Sequence, residues 1–188
     1  MDGATKMRRQ LSWSADIIPG GALMGVNLGM TLVEFKALLC KENVSSGMNG
    51  LVKFDNSPLL KFEESENGFS VLAADISNVS YEWQREVMDI GFDDGRLIYF
   101  RVISPIDTRF EYKGKIFGDI GLGEKVECLR KYYSEIIYDD VEEWFYFKNG
   151  PIGIRVSATD DFKDNEFNGL INSICIQSHR FLDVMDGA

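Results

Sequence analysis

The apolar positions of the chain follow two rhythms in succession, and the succession is written twice. Val26 and Leu28 alternate around Asn27, the two-residue period of a half-buried strand end. Gly29, free to take the backbone angles of a sharp turn, comes next. Leu32, Phe35, Leu38 and Leu39 then recur at helical spacing, and Thr31 with Glu34 three positions on has the pattern of a capping box, so a helix is expected after Thr31. At a distance of 94 residues, Gly114, Ile120, Leu122 and Gly123 repeat Gly20, Val26, Leu28 and Gly29, and Val126 and Leu129 repeat Leu32 and Phe35. The second copy lacks the threonine cap, but its stripe at Val126, Leu129 and Tyr132 or Tyr133 predicts a second helix.

The match continues with a one-residue slip. KFDNSPLLKF at 53–62 lies over YFKNGPIGIR at 146–155, pairing Phe54 with Phe147, Asn56 with Asn149 and Pro58 with Pro151. Asn149 and Gly150 between FYF and IGIRV are a strong hairpin signal, and Asn56 and Ser57 a weaker one. A third match, ISNVSY at 76–81 over INSICI at 171–176, adds an expected closing strand to each half. Between the halves, VMDIGFDDGRLIYFRVIS reads as a hairpin turning at Asp94 and Gly95. Three blocks recurring in order favour duplication over a coincidence of turn signals. The expected fold is therefore α+β: one domain spanning 1–188, with pseudo-repeated halves at about 15–81 and 109–176 joined by a central hairpin at 82–108. Each half lays a helix on a mainly antiparallel sheet, and the two share one continuous sheet.

Composition adds a sign to this frame. With 45% hydrophobic residues in 188 the chain can bury a real core, and 20 Lys and Arg against 30 Asp and Glu give a formal charge of -10. That balance argues against broad contact with phosphate backbones or anionic lipid and favours a basic partner. No signal-like apolar run follows Lys6, Arg8 and Arg9, and no stretch approaches the length needed to span a bilayer. Cys40, Cys128 and Cys175, an odd number without a CxxC pair, point to buried thiols in a reducing compartment, with one disulfide left open. A cytoplasmic location is expected.

Catalytic chemistry is hard to assemble from these residues. The chain's one histidine, His179, follows the last predicted strand and reads as a solvent-facing residue, and with Cys175 it makes half a zinc site at most. GDIGLGE at 118–124 is not GxGxxG, and Glu124 would oppose a phosphate there. Paired acids occur at Asp93 and Asp94, Asp139 and Asp140, Glu142 and Glu143, and Asp160 and Asp161, but neighbours along a strand face opposite ways. DDFKDNEF at 160–167 lacks the glycine and the closing glutamate of a calcium loop. No enzyme, cofactor or metal is expected.

The halves differ most at YDDVEEWFYF, residues 138–147, where four carboxylates stand in place of four neutral residues of SSGMNGLVKF, 45–54, which carries no acid. If what recurs is frame, what differs is the candidate for contact. Tyr138, Asp139, Asp140, Glu142, Glu143 and Trp144, with Asp160 and Asp161, form the candidate binding surface, aromatic for buried area and acidic for orientation and encounter rate. Solvated loop acids and a core Trp144 are the plainer alternative, which applies equally to Glu63, Glu64 and Glu66 and to Asp164 and Glu166.

The phrase GALMGVNLGMTLVEFKALL, the late YDDVEEWFYFKNGPIGIRV hairpin and the small acidic body resemble bacterial immunity proteins of contact-dependent growth inhibition and other polymorphic toxin systems. The resemblance covers most of the chain. It implies a cytosolic inhibitor bound to one cognate toxin domain, often a basic nuclease acting on RNA, with no direct nucleic-acid or membrane contact. The LGMT turn and helix also look like the repeated unit of the β-lactamase inhibitory protein fold, a likeness of architecture without a target. The alternatives are a ligand- or peptide-binding adaptor with its ligand between the halves, and an enzyme using carboxylates and a metal.

Overall fold

The computed structural model describes residues 11–41, 50–76, 79–159 and 168–178. Asp160, Asp161, Asp164, Glu166 and His179 lie outside them. In chain order the strands are β1 (Ala22–Leu23), β2 (Val26–Asn27), β3 (Leu51–Val52), β4 (Leu60–Ser65), β5 (Gly68–Ala73), β6 (Glu86–Asp93), β7 (Arg96–Ile103), β8 (Glu135–Asp139), β9 (Trp144–Lys148), β10 (Ile154–Ala158) and β11 (Ile171–Gln177). Among the described residues one α-helix, α1 (Leu32–Lys41), joins them, and short 3-10 helices occupy Glu82–Arg85, Thr108–Phe110 and Val126–Lys131.

Nine strands form one continuous antiparallel sheet in the order β3-β4-β5-β6-β7-β11-β10-β9-β8, while β1 and β2 pair separately. The molecule is mostly β, and the expected pair of helix-on-sheet units is not what the second copy builds. Thr31 does cap α1, its hydroxyl accepting the Glu34 N–H at 3.2 Å while Glu34 accepts the Thr31 N–H at 3.0 Å. The second copy has no such side-chain cap and forms only the 3-10 helix Val126–Lys131. Its apolar residues Val126, Leu129 and Tyr132 are three apart, a spacing that fits the three-residue period of a 3-10 helix as well as an α-helix.

What the two copies share is a turn and the way it is fastened. Gly29 and Gly123 both take left-handed angles, φ 83° and 78°. Gly29 N–H donates to Leu97 O and Gly123 N–H to Ile171 O. Leu97 and Ile171 donate back to Met30 O and Glu124 O, and Leu32 and Val126 donate to Gly95 O and Gly169 O. Each copy is thus hooked to the start of a central strand, β7 in one case and β11 in the other. These two strands are neighbours, and laying Leu97 over Ile171 makes Arg101 the counterpart of Cys175, its own cross-strand partner. A local two-fold relation passes through that pair.

The other hairpin expectations divide. The central one turns at Asp94 and Gly95 between β6 and β7, both with positive φ. Asn149 turns with φ 57° between β9 and β10. Of the closing strand expected at 76–81, the described residues, 76 and 79–81, lie outside the sheet: β5 ends at Ala73, and the 3-10 helix Glu82–Arg85 follows. INSICI is a strand, so among the described residues the third match does not extend to the backbone. Cys175 is buried as expected, but Cys40 is exposed at the end of α1.

The core lies between the sheet and one covering layer. Phe35 of α1 is fully buried, with ring centroids 5.5 Å from Phe69, 5.6 Å from Phe92 and 6.5 Å from Phe100. On the same sheet face Phe145, Val156, Ile174, Val102, Met88 and Val71 form one straight cross-strand row from β9 to β5, all buried. Strand side chains alternate, so the intervening residues of these strands occupy the far face.

Candidate functional site

β8 and β9 form a hairpin at one edge of the sheet, with Asp140–Glu143 as its exposed turn. Asp139 shapes this turn. Its carboxylate accepts the N–H groups of Val141 at 2.9 Å and Glu142 at 3.1 Å, while Glu143 closes the turn with φ 60°. Tyr138 faces the core side, its ring 4.8 Å from the buried Phe145. Trp144 and Tyr146 alternate onto the far face, where β10 supplies a residue that the sequence reading passed over. Arg155 sets its guanidinium 4.5 Å above the Trp144 ring and its Nη1 3.5 Å from a Glu142 carboxylate oxygen. The Tyr146 hydroxyl also donates to Glu142, and burial together with this hydrogen bond holds the Tyr146 pKa above the usual phenol value.

The predicted surface therefore separates by role. Tyr138 supports the core, Asp139 shapes the turn, and Glu142 and Trp144 are held by Arg155. Asp140 and Glu143 stand exposed at the tip beside Val141, which is 87% exposed. Asp160 and Asp161 lie outside the described residues.

Arg155 also ends a polar row that crosses the far face. Glu63, Ser70, Asp89, Arg101, Cys175 and Arg155 are successive cross-strand partners on β4, β5, β6, β7, β11 and β10. Arg101 pairs with Asp89 at 3.3 Å, and the Tyr99 hydroxyl donates to Asp89 at 3.0 Å. Gly91, the cross-strand partner of Tyr99, is required for this, because a Cβ there would lie 1.9 Å from the Tyr99 ring. Burial raises the pKa of Tyr99, and Asp89 adds to the rise. Cys175 sits in the row between Arg101 and Arg155 with 1% exposure, and burial raises its thiol pKa against the opposing pull of Arg155 and Arg101. Nothing in the linear pattern marked this row, since each member is one polar residue in an alternating strand.

Glu86, at the start of β6, is pushed above its ordinary value of 4.5 by burial and by Asp89, against the pull of Arg101 and a hydrogen bond to Ser70. A raised carboxyl pKa contributes stability that is fully present below the ordinary value and lost as pH rises through the folded one. Glu86→Gln is therefore expected to raise the thermal midpoint at pH 7, with the gain shrinking to nothing below pH 4.5, as scanning calorimetry across that range would record.

Comparison of the chain with protein-family models, with curated proteins and with solved structures finds no match. The chemistry of the surface must speak alone. Among the described residues no group of three or more His, Cys, Asp or Glu side chains is placed to hold a metal ion. No helix of the described residues is long and apolar enough to cross a membrane. In GDIGLGE the N–H groups of Gly123 and Glu124 are taken by Ile171 O and Gly121 O. A groove of about 420 Å³ opens between the β4–β5 and β6–β7 turns, lined by Phe92 and Tyr99 and by Glu64, Glu66, Asp93 and Asp94. This groove lies between the first half and the central hairpin, whereas the ligand-binding alternative placed its ligand between the two halves. Glu64 is engaged there by Lys36 at 2.6 Å, and Glu63 by Lys61 at 2.5 Å.

Proposed function

We propose that the chain is an immunity protein, a stoichiometric inhibitor that binds and neutralises a basic toxin domain in the cytoplasm. The toxin class that the resemblance implies is a nuclease acting on RNA. On this reading the repeated glycine turns belong to a duplicated frame, and the unmatched β8–β9 hairpin carries recognition. One observation carries the reading: an acidic hairpin tip stands out at the edge of a large sheet, its turn fixed by Asp139 and its base by the Arg155 contacts to Trp144 and Glu142. A preshaped acidic tip loses little freedom on binding and attracts a basic partner from a distance.

The test is co-purification with the product of the adjoining open reading frame, together with protection of cells that express that product. Reversing Asp140 and Glu143 to lysine is expected to slow association by about tenfold at low salt and to flatten its dependence on ionic strength, with the thermal midpoint unchanged. Stopped-flow mixing at several salt concentrations reads both effects. Failure of the wild-type chain to bind or protect overturns the proposal. An unchanged association rate in the reversal variant removes the tip from the interface. The alternative, a ligand- or peptide-binding adaptor, draws on the groove beside Tyr99, and its signature would be a small-molecule ligand that competes with no protein.

A further inference from the structure

The acidic tip has companions that only the sheet register reveals. β9 and β6 are four strands apart in an antiparallel sheet, so they run in the same direction and what precedes each lies at the same end. The row Phe145, Val156, Ile174, Val102, Met88 fixes the level. The β8–β9 turn immediately precedes that row on β9, and the 3-10 helix Glu82–Arg85 precedes it on β6. Four inter-strand steps separate β6 from β9 by about 19 Å, within the span of an ordinary protein interface.

This end also gathers unburied apolar side chains. Of the eight large hydrophobics exposed among the described residues, five belong here: Tyr81, Trp83, Ile106 just after β7, Val141 in the tip, and Leu170 just before β11. Trp83 is 69% exposed and Tyr81 63%, and their rings lie nearly parallel at 13° with centroids 6.1 Å apart. Such a pair holds its shape before anything binds, as an aromatic anchor requires. The charge around it is negative. Glu82 lies between the two rings in sequence, and Asp140 and Glu143 lie across the same end, where Glu142 is paired with Arg155. Among the cations there, Arg85 is 3.8 Å from Glu82 and Arg109 is bound to Asp107, while the exposed Lys125 offsets one of the acids.

We propose that this end of the sheet is the docking surface for a basic protein, and that Tyr81 and Trp83 are its anchor. The electron-rich face of Trp83 takes an arginine or lysine side chain of the partner, Glu82 pairs with the same cation, and Asp140 and Glu143 meet further ones. This deepens the inhibitor reading above and rests on it for the basic character of the partner.

The experiment measures association and dissociation between the full chain and the protein from the adjoining reading frame, for the wild type, for Tyr81→Ala with Trp83→Ala, and for Trp83→Phe. The double variant is expected to bind about 30-fold more weakly or worse, almost wholly through faster dissociation and with the salt dependence of association intact; Trp83→Phe keeps most of the affinity. Both residues are exposed, so the thermal midpoints should coincide, and a tryptophan-fluorescence change on mixing that Trp83→Phe abolishes gives a second readout. Binding of the double variant within about twofold of wild type overturns the anchor while leaving the inhibitor reading intact. Absence of binding by the wild type overturns the inhibitor reading, and the anchor with it. A dimer of the isolated chain that sediments as a monomer after Trp83→Ala assigns the surface to a second copy and also overturns the proposal.

Discussion

Truncating Phe35 to alanine is expected to cost about 3–5 kcal/mol of unfolding free energy, the range for removing a fully buried aromatic ring. Phe35 is the point at which α1 meets the sheet, with rings of β5, β6 and β7 around it. α1 has ten residues, too few to hold a helix in water without tertiary support. Loss of the ring therefore leaves a cavity and also releases the helix from its seat. Urea unfolding should show a lower midpoint, and amide exchange across Leu32–Lys41 should accelerate more than exchange in β7 or β11. Val33→Ala on the same helix, at a side chain 78% exposed, should change stability by no more than about 0.5 kcal/mol.

A loss of similar size is expected at Trp13, for a different reason. Its indole is 1% exposed and donates to Glu111 O at 3.0 Å, and its ring lies 5.3 Å from Tyr112 and 5.9 Å from Phe54. Its backbone is held from both sides, Trp13 N–H donating to Asp55 O and Lys113 N–H donating to Trp13 O. Residues from positions 54 and 55 and from positions 111 to 113 thus close on one side chain. Trp13→Ala should cost about 3–5 kcal/mol. Trp13→Phe, which restores most of the apolar surface but leaves Glu111 O without its donor, should cost about 1–2 kcal/mol. The difference between the two variants, read by denaturant titration, separates packing from the hydrogen bond.

The parts of this fold that were legible in the sequence are those decided within a few residues. The capping box of Thr31 and Glu34 and the turn at Asp94 and Gly95 each depend on neighbours in the chain, and both appear where the local pattern puts them. Val126 and Leu129 misled because a three-residue interval does not separate a 3-10 helix from the start of an α-helix. ISNVSY misled because its letters matched INSICI while its described residues, 76 and 79–81, lie outside the sheet. The candidate surface was half legible. Its acids were conspicuous, but Arg155, which organises Glu142, Trp144 and Tyr146, reads as an ordinary outward residue until strand pairing places it beside them. Tyr81 was hidden by its assignment to a closing strand and Trp83 by its place in the range given to the central hairpin, and only the register of five strands brings their end of the sheet together with the acidic tip. Cross-strand neighbours are the product of global topology, which a single sequence does not encode in any short window.

The central position of Cys175 gives the protein a chemical clock. Its thiol is buried on the far face between its cross-strand neighbours Arg101 and Arg155, so an alkylating reagent reaches it only when that face opens, whereas Cys40 is exposed to the same reagent at once. Mass spectrometry of the singly and multiply labelled species over time would then count openings of the sheet's centre, and a bound partner that slows the Cys175 label without touching the Cys40 label would be clamping the scaffold at a distance from its own footprint.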